Sequence, residues 1–321
     1  MNISNYKVSI ILPYFNEEKN LEYTFHLLQN QTHKPDEIIF VDSNSSDNSH
    51  TKLELLIQNQ NLQNINIYNF KTNLKSPSEC KNFGIKKSNF DWILFMDFEL
   101  KFKNEWIENQ LIHQLKSNTK VNFGVAYITG KKLFDRSCIF QTFGYKSNTP
   151  IIPSSLVHKS IFYEYGDFLP IRSTYDRVWI SKIRSHENLY SINYNIKIDY
   201  LNYAYARGPF ELFLKTVNLC LQSLFLKNYN TPYIYIFIII LLLYFNNIFF
   251  YFSLLSINFF LRGIYLPYKK NKKYFLKNLN LLPYHVLTGV IIDIARFIGF
   301  SIGLLFRLIG FKFRLDRLIR K

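Results

Sequence analysis

Cysteine and glycine are both scarce in this chain of 321 residues. Its three cysteines, Cys80, Cys138 and Cys220, are odd in number and far apart, which predicts neither a disulfide framework nor a cysteine metal site. Residues 13–20, which follow the first apolar run, contain no glycine. A nucleotidyltransferase built on an α/β sheet would need a glycine-rich phosphate loop at this point, so the sequence argues against that class.

Acidic residues are rare in the last third of the chain. Residues 211–321 carry 15 lysines and arginines against 3 aspartates and glutamates, whereas residues 1–210 carry 24 against 20. The net charge of +16 is therefore not spread over one basic surface, and nucleic acid is not an expected partner. The positive charge lies between long apolar stretches, and this arrangement indicates contact with membrane lipids, whose anionic headgroups attract basic residues.

Two apolar stretches, residues 233–261 and 286–309, are each long enough to cross a bilayer, which takes about 20 residues. Residues 210–226 before them are amphipathic, as in a helix that lies in the membrane interface. We therefore expect two parts, an α/β domain over residues 1–210 and membrane-attachment helices over residues 211–321. The N-terminal residues show no succession of basic region, apolar stretch and cleavage site, so no signal peptide is expected.

Two membrane topologies are open. Two full spans would place the basic loop between the apolar stretches outside, against the tendency of short basic loops to stay inside. A re-entrant hairpin turning at Asn246 and Asn247, or helices lying shallow in the inner leaflet, would keep this loop and the tail on the cytoplasmic side, and we expect this arrangement. In the second stretch, Asp293 and Arg296 can pair on one helix face. The basic residues are Arg262, Lys269, Lys270, Lys272, Lys273 and Lys277 in the loop and Lys312, Arg314, Arg317, Arg320 and Lys321 in the tail.

The N-terminal two thirds contain apolar runs that end in polar side chains. Residues 92–96 are such a run, which predicts a buried strand, and Asp97 and Glu99 follow it. Open α/β sheets bind ligands at the C-terminal ends of their strands. Two carboxylates at i, i+2 can hold one hard divalent cation there, although an ordinary strand end with solvent-facing acids is the alternative.

Two further strands are predicted upstream. The first covers residues 8–12, breaks at Pro13 and is followed by a helix with Leu21, Phe25 and Leu28 on one face. The second covers residues 37–41 and ends at Asp42, where polar residues can cap a helix over residues 53–57. Strands alternating with helices through short links indicate a parallel sheet. Three successive strands would then bring Asn16, Asp42, Asp97 and Glu99 to one sheet edge.

These segments resemble the nucleotide-sugar half of family-2 glycosyltransferases with the GT-A fold. The matching sequences are PYFNEE at 13–18, VDSNSSD at 41–47 and ECKNFGIKKSNFDWILFMDFE at 79–99, within a resemblance that covers residues 8–215. The resemblance implies a GT-A domain, Rossmann-like with a mostly parallel mixed sheet, followed by the membrane-associated helices. It also implies these nucleotide-sugar-binding residues: Pro13, Phe15, Asn16, Glu17, Asp42, Lys81, Asn82 and Asp97.

The resemblance also implies a divalent cation, Mn²⁺ or Mg²⁺, on Asp97 and Glu99. Such a cation would neutralise charge on the departing diphosphate. Two residues depart from the family pattern, because Lys81 stands where Arg is common and Glu99 replaces the usual second Asp. Relatives often carry a metal-contacting His near residues 200–203, where this chain has Tyr200 and Tyr203, so no third ligand is assigned.

The family keeps its general base in a Glu-Asp pair after a Gly-x-Phe turn. Gly166, Asp167 and Phe168 match that turn, and Tyr175 and Asp176 match the pair with Tyr in place of Glu. The resemblance therefore implies Asp176 as the base, with Asp167 as the second candidate. The alternative for Asp176 is an acid that merely stabilises a helix N-terminus.

The expected function is inverting, metal-dependent transfer of a sugar from a nucleotide-sugar to an acceptor hydroxyl. The acceptor would be a lipid-linked glycan or polyprenyl phosphate at the cytoplasmic face of the cell membrane. The Gln-x-x-Arg-Trp motif of processive synthases is absent, which favours one sugar per encounter. A catalytically inactive, membrane-bound scaffold that binds nucleotide sugars is the alternative, and Glu99 and Tyr175 favour it.

Residues 121–210 carry further expectations. We expect a strand at residues 124–127 and half-buried strands at residues 188–194 and 196–203. Arg207 can contact a phosphate or face water or lipid headgroups. His158 is expected to be a packing residue rather than a catalyst.

Overall fold

The computed structural model describes residues 3, 5–59, 65–142, 149–200, 205–223, 244 and 247–308. The chain divides into two units, one formed by Met1–Tyr127 and Asn148–Asn202 and the other by Ile128–Ser147 and Tyr203–Lys321. Several predicted features lie outside the described residues, namely Tyr203, residues 224–226 and 233–243, Asn246, Ile309 and the basic tail.

Eight strands of the first unit form one mixed sheet. In chain order they are β1 (Val8–Tyr14), β2 (Glu37–Asp42), β3 (Asn66–Lys71), β4 (Trp92–Phe95), β5 (Leu100–Lys101), β6 (Val121–Ala126), β7 (Thr149–His158) and β8 (Tyr190–Tyr200). Across the sheet the order is β3-β2-β1-β4-β7-β6-β8-β5. The strands β3, β2, β1 and β4 are parallel, β7 is antiparallel to both neighbours, and β8 is parallel to β6.

Helices connect these strands or follow them. In chain order they are α1 (Leu21–Gln29), α2 (Ser49–Asn59), α3 (Pro77–Lys87), α4 (Trp106–Ser117), α5 (Leu133–Thr142), α6 (Ser160–Tyr165) and α7 (Tyr175–Arg184). All of them belong to the first unit except α5, which belongs to the second. The α/β class predicted from the apolar runs is confirmed, and so is the mostly parallel mixed sheet that the family resemblance implies.

The sheet core follows from the apolar runs of the central strands. Ile10 of β1 lies beside Ile38 of β2 and Leu94 of β4, and all three are fully buried. The helix α1 covers this sheet with its predicted apolar face, and the Phe25 ring stacks on Phe40 with centroids 5.7 Å apart. Central strands of parallel sheets are buried on both faces, which explains why these runs do not alternate with polar residues.

The prediction that the first strand breaks at Pro13 is wrong. The strand β1 continues to Tyr14, and Pro13 is paired in register with Val41 of β2. The backbone of Ile11 faces β4, since its carbonyl accepts a hydrogen bond from Met96 N (3.1 Å). Pro13, two residues further, faces the same side, where pairing with β4 has already ended at Phe95. Its missing N–H therefore costs no bond in the sheet.

The two half-buried strands predicted over residues 188–203 are a single described strand, β8, from Tyr190 to Tyr200. Its pairing with β6 shifts register between Phe123 and Val125, so the strand passes a bulge without ending. The strand predicted at residues 124–127 is confirmed as the end of β6.

The second unit is helical over its described residues. Its helices after α5 are α8 (Pro209–Ser223), α9 (Ile248–Asn258), α10 (Leu266–Lys270), α11 (Lys272–Lys277) and α12 (Leu282–Leu308), with a π-helical segment Phe259–Tyr265 between α9 and α10. Two helical stretches, Ile248–Lys270 and Leu279–Phe306, are long and apolar enough to cross a membrane by length and composition. Among the described residues, 6% of the most apolar part of the first stretch is buried, and 33% of that of the second.

The two long apolar stretches contact each other through charged and small residues. Arg262 forms an ion pair with Asp293, and Arg296 lies 3.8 Å from the same carboxylate, as the i, i+3 spacing predicted. Asn258 Nδ2 donates to Asp293 Oδ2 (2.7 Å). The first stretch begins just after Asn247, whose side-chain oxygen accepts from Phe249 N (2.8 Å).

Candidate active site

Three parallel strands end at the same edge of the first unit's sheet, as predicted. Tyr14 at the end of β1 is in register with Asp42 at the end of β2. On the other side of β1, Met96 N donates to Ile11 O, so Asp97 lies just beyond this last bond. The polar residues that follow β1, β2 and β4 therefore share one edge, where α/β sheets place their ligands.

Lys81 of α3 connects this edge to the start of α7. Its ammonium donates to Asp97 Oδ1 (2.8 Å) and to the Tyr175 hydroxyl (3.2 Å), and its side chain is fully buried. Burial alone would lower the pKa of Lys81, but the Asp97 carboxylate and Tyr175 hold it above its ordinary value. Burial also raises the pKa of Tyr175 to about 12, so the hydroxyl stays protonated. The three side chains form a buried cation, its counter-ion and a neutral hydroxyl.

The helix α3 also holds the segment that precedes α7. Asn82 Nδ2 donates to Phe168 O (2.8 Å), and Phe168 N donates back to Asn82 Oδ1 (3.1 Å). Ser78 Oγ donates to Ile171 O (2.8 Å). Because α3 itself packs closely on β1, with no room for a side chain at Gly84, these bonds fix residues 168–171 relative to the strand ends.

Two glutamates at this edge share one amide donor. Asn20 Nδ2 donates to Glu17 Oε2 (2.7 Å) and to Glu99 Oε1 (3.2 Å). Burial, together with the neighbouring carboxylates of Glu99 and Asp97, raises the pKa of Glu17 to about 7, against the lowering effect of the Asn20 hydrogen bond. The mutual repulsion shows that Glu17, Asp97 and Glu99 form one electronegative group.

Asp42 lies inside a different cluster, beneath the loop that follows β2. Its Oδ1 accepts from Ser45 N (2.8 Å) and Ser45 Oγ (2.6 Å), and its buried Oδ2 has no hydrogen-bond donor among the described residues. His50 Nδ1 lies 3.6 Å from Oδ2 and 2.9 Å from the Tyr14 hydroxyl. Burial and the Asp42 charge raise the pKa of Tyr14. A nucleoside that uses Asp42 must therefore approach through its unpaired Oδ2.

The loops after β1 and β2 are bonded to each other. Asn16 Oδ1 accepts from Ser46 N (2.8 Å), and Asn16 N donates to Ser45 Oγ (3.0 Å). Glu17 N donates to Ser49 Oγ (2.7 Å). Pro13 is the second-last residue of β1, and the 41% exposed Phe15 is the first residue after this strand. These bonds order the predicted donor-binding residues before any ligand arrives.

Left-handed backbone conformations are concentrated in these loops. Asn16 (φ 57°), Asn44 (φ 62°), Glu99 (φ 61°) and Thr174 (φ 65°) all adopt positive φ, a region that favours glycine. Such conformations cost about 1–3 kcal/mol each and tend to occur at binding and catalytic sites. Thr174 is β-branched and directly precedes α7, whose first turn contains Asp176.

Asp176 and Asp167, the two predicted base candidates, have different surroundings. Asp176 is half-buried at the second position of α7, next to the buried Tyr175. Asp167 is 41% exposed and lies 3.7 Å from Lys86. Asp176 is thus joined through its neighbour to Lys81 and Asp97, whereas Asp167 forms a surface ion pair. His158 packs edge-on against Trp92 with centroids 5.1 Å apart, as a packing residue does.

A divalent cation fits the donor set at the end of β4. Among the described residues, no three or more His, Cys, Asp or Glu side chains are placed so that they could hold a metal ion together. Asp97 and Glu99 are nevertheless hard oxygen donors of the type that Mg²⁺ and Mn²⁺ prefer. Their repulsion of Glu17 is the electrostatic feature that a bound cation would relieve.

Two residues of this site, Asn20 and His50, were not singled out in the sequence. Asn20 bridges Glu17 and Glu99, and His50 links Asp42 to Tyr14. Asn20 could have been found from its position at the start of α1, three residues after Glu17. His50 lies on α2, eight residues after Asp42, and no sequence pattern connects the two.

Comparison with known proteins places this geometry in a family. The family model described as Glycosyl transferase family 2 matches residues 9–183. Poly(ribitol-phosphate) β-N-acetylglucosaminyltransferase TarP of Staphylococcus aureus is 26% identical over 215 residues, which are 61% of this chain and 62% of TarP. GalNAc(5)-diNAcBac-PP-undecaprenol β-1,3-glucosyltransferase of Campylobacter jejuni is 30% identical over 132 residues, 40% of this chain and 39% of that protein.

Among solved structures, the mannosyltransferase PcManGT of Pyrobaculum calidifontis, in complex with GDP-Man and Mn²⁺, has a similar fold. The TM-score is 0.51 at 12% identity, and the match covers 68% of this chain and 64% of that one. The matched region spans less than two thirds of each of these relatives. The family match covers more than half of the chain and contains all the predicted site residues, and the chain belongs to glycosyl transferase family 2.

Proposed function

We propose that this chain transfers a sugar from a nucleotide-sugar to an acceptor hydroxyl, with inversion, at the cytoplasmic face of a membrane. One observation carries the proposal. Lys81 holds Asp97 at the end of β4 and Tyr175 at the start of α7, which connects the predicted donor-binding edge to the predicted base, Asp176. Membership of glycosyl transferase family 2 supports the reaction class.

The proposed reaction is a single displacement. The acceptor oxygen forms a bond to the anomeric carbon while the bond from that carbon to the diphosphate oxygen breaks, and the electron pair leaves with the diphosphate. The sugar passes through a state with oxocarbenium character, as in other glycosyl transfers. The acceptor proton moves to a carboxylate oxygen of Asp176, which acts as the general base.

The donor is proposed to lie along the loops after β1 and β2. Asn16, Glu17 and Asp42 would contact the nucleoside, and the orphaned Asp42 Oδ2 offers a buried acceptor for a base or ribose donor group. Asn82 holds Phe168, so its contribution to donor binding would come through the position of residues 168–171. The pre-ordered Asn16–Ser46 bonds reduce the conformational entropy lost on binding.

Asp97 and Glu99 would hold a divalent cation, Mn²⁺ or Mg²⁺, when it is bound. Such a cation would stabilise the negative charge that builds up on the departing diphosphate. Lys81 would help to hold the Asp97 carboxylate in place through its 2.8 Å hydrogen bond. PcManGT, which has a similar fold and whose solved structure is a complex with GDP-Man and Mn²⁺, supports this part of the proposal.

The acceptor is proposed to be a lipid-linked glycan or polyprenyl phosphate. The two apolar helices would attach the protein to the membrane and keep the acceptor's reactive end near the site. The Campylobacter relative, whose name specifies an undecaprenol-linked acceptor, supports a lipid-linked substrate. Transfer of one sugar per encounter is consistent with the absence of the Gln-x-x-Arg-Trp motif.

The proposal is tested with purified protein in detergent and a panel of UDP- and GDP-sugars with undecaprenyl-linked acceptors. Asp97→Asn and Asp176→Asn should each lower kcat by at least about 100-fold, because one affects leaving-group stabilisation and the other proton transfer. Asp176→Asn should leave donor binding by calorimetry nearly unchanged. Glu105→Gln, at an exposed position before α4, is the matched control. Full transfer by both site variants would refute the assignment.

A second candidate is an inactive scaffold that binds nucleotide sugars at the membrane. The Lys81–Asp97 ion pair favours it, since one carboxylate oxygen that a metal would use is already bonded to a fully buried ammonium. Calorimetry with UDP and GDP, with and without Mn²⁺, separates the two functions. Binding that is independent of Mn²⁺, without turnover of any donor, would favour the scaffold.

A further inference from the structure

We propose that residues 266–278 bind anionic lipid headgroups on the membrane face where the catalytic strands lie. These residues, called the junction below, comprise the end of the first long apolar helix and the segment that leads to the second. This inference rests on the membrane attachment proposed above. The contacts of α5, Leu133–Thr142, distinguish the two topologies left open by the sequence.

The helix α5 must lie on the same membrane face as the strands β6 and β7. Six residues lie between the end of β6 at Ala126 and the start of α5, and six lie between the end of α5 at Thr142 and the start of β7. Six extended residues span about 22 Å at most, which is less than the roughly 30 Å hydrocarbon core. Residues 127–132 also contain Lys131 and Lys132, which are unfavourable in a bilayer. The chain cannot cross the membrane to form α5 and cross back.

Lys270, the last residue of the first apolar helix, is bonded to the end of α5. Its ammonium donates to the carbonyl oxygens of Phe140 (3.0 Å) and Thr142 (3.4 Å). These carbonyls belong to the last turn of α5, where a helix has unpaired acceptors and a partial negative charge. The Phe140 ring packs on Tyr274 of α11 with centroids 5.4 Å apart. The junction between the apolar helices is therefore tied to α5.

A buried polar network joins α5 to both apolar helices. Gln141 Nε2 donates to the carbonyl oxygens of Arg262 (2.7 Å) and His285 (3.0 Å). Ser137 Oγ lies 2.8 Å from both His285 Nδ1 and Thr288 Oγ1. Ser137, His285 and Thr288 are fully buried. Buried networks of this kind have one well-defined arrangement, so the end of one helix and the start of the other are held at α5.

The direction of both helices follows from these contacts. The first apolar helix reaches the α5 face with its C-terminal residues, and α12 leaves the same face with its N-terminal residues. Exposed apolar side chains lie at the end of each helix that is farther from the junction in sequence. Examples are Phe249 (77% exposed) in the first helix and Leu305 (62% exposed) in the second. Two full spans that place residues 266–278 on the face opposite to the catalytic strands are incompatible with this arrangement.

The charge of the junction fits anionic headgroups. It contains five lysines, and residues 212–292 contain no aspartate or glutamate. Lys270 is bonded to α5, and the other lysines of the junction are exposed: Lys269, Lys272, Lys273 and Lys277. Lysines near a bilayer surface are attracted to anionic lipids, and a membrane of phosphatidylglycerol would supply the counter-charge. Short basic loops of membrane proteins also tend to lie on the cytoplasmic side.

The test compares two single-cysteine variants in a background lacking the three native, buried cysteines. Lys272→Cys reports on the junction, and Lys116→Cys on α4 is the matched reporter for the catalytic unit. With a membrane-impermeant maleimide, both should be labelled in inverted membrane vesicles and both protected in right-side-out spheroplasts. Labelling of Lys272→Cys from the side opposite to Lys116→Cys would overturn the inference. Release of the protein by alkaline extraction would instead refute membrane attachment.

Headgroup binding is tested with an environment-sensitive maleimide dye on Lys277→Cys in nanodiscs. The emission should shift to shorter wavelength when phosphatidylcholine is replaced by a mixture with about one third phosphatidylglycerol. Lys272→Gln with Lys273→Gln should weaken the preference for the phosphatidylglycerol mixture about 25-fold, since each lysine contributes about fivefold. The dye on Lys116→Cys should show no lipid dependence. A Lys277→Cys signal that is equal in both lipids would overturn the headgroup contact.

Discussion

The ammonium of Lys81 lies 2.8 Å from Asp97 Oδ1 and is completely enclosed by the protein, whereas the Asp97 side chain is 33% exposed. The pair thus consists of a buried cation and a carboxylate that reaches solvent. The hydroxyl of Tyr175 is the cation's other hydrogen-bond partner in the site, at 3.2 Å.

We predict that Lys81→Met and Tyr175→Phe are energetically coupled. Tyr175→Phe removes one hydrogen bond to a charged group and should lower the free energy of unfolding by about 1–3 kcal/mol. Lys81→Met should lower the free energy of unfolding by a similar amount. The Tyr175 hydroxyl loses its hydrogen-bond partner, whereas the partly exposed Asp97 carboxylate stays hydrated. Thermal unfolding in detergent of both single variants and the double variant gives the coupling energy, which should exceed about 0.5 kcal/mol.

Lys86→Met is the control for this cycle, because Lys86 is 72% exposed and lies 3.7 Å from Asp167. Exposed ion pairs contribute little, so its stability should be close to that of the native chain. Strictly additive losses in the Lys81 and Tyr175 variants would show that the two side chains do not act as a unit.

Asn82 should govern the order of the segment before α7. Its two bonds with the Phe168 backbone, at 2.8 and 3.1 Å, are both lost in Asn82→Ala. We expect a loss of about 1–3 kcal/mol in unfolding free energy, because the Phe168 amide and carbonyl lose their partners. We also expect faster trypsin cleavage at the exposed Arg172, measured by mass spectrometry.

Asn89→Ala is a matched comparison, since Asn89 is bonded to Glu37 at the other end of α3. It should lower stability without increasing cleavage at Arg172. Equal cleavage in both variants would mean that Asn82 does not hold this segment.

Glu17 makes the stability of the fold depend on pH. Burial and the Glu99 and Asp97 carboxylates raise its pKa from 4.5 to about 7 in the folded protein. Between these values the folded state binds more protons than the unfolded state, so stability falls as pH rises through this window. The loss levels off about one pH unit above the folded pKa and amounts to at most about 3.5 kcal/mol, at about 1.4 kcal/mol per pKa unit, before solvent screening reduces it.

Glu17→Gln keeps the hydrogen bond to Asn20 and cannot ionise. Its unfolding free energy should match that of the native chain near pH 4.5 and exceed it increasingly until about one pH unit above the folded pKa. Glu105→Gln, at an exposed position, should show no such trend. A native chain that gains stability relative to Glu17→Gln as pH rises would contradict the raised pKa.

The strand ends were predictable because the strands are buried on both faces. Ile10, Ile38 and Leu94 lie in runs that cannot be mistaken for amphipathic helices of the same length, and their polar endings mark the ligand edge. The presence of Asp97 and Glu99 at the ligand edge was predictable because both directly follow the apolar run of β4. The continuation of β1 through Pro13 was not predictable, because it depends on β4 ending earlier than β1.

Contacts between distant segments could not be read from the sequence. The Lys81–Tyr175 bond joins residues 94 positions apart, and no periodicity encodes it. The same holds for His50 and Asp42, which meet because α2 folds back over β2. The assignment of α5 to the second unit was equally hidden, since its short sequence lies between two sheet strands.

Thr174 stores backbone strain immediately before α7. Its φ of 65° is unfavourable for a β-branched residue, and it stands two positions before Asp176. Thr174→Gly should raise the unfolding free energy by about 1 kcal/mol, because the relief of strain exceeds the entropy that glycine adds to the unfolded chain. The same change should lower kcat severalfold with little effect on the donor KM, because the first turn of α7 is then less rigidly held.

Asn118→Gly provides the matched control for Thr174→Gly. Asn118 also has positive φ, 50°, but it ends α4 and has no contact with the proposed donor-binding residues among those described. Asn tolerates this conformation better than Thr, so the stability gain should be only tenths of a kcal/mol and kcat should not change. If Thr174→Gly raises stability and leaves kcat at the native value, the strain at Thr174 does not position Asp176. Opposite signs for stability and kcat would instead show that this strain serves the proposed reaction.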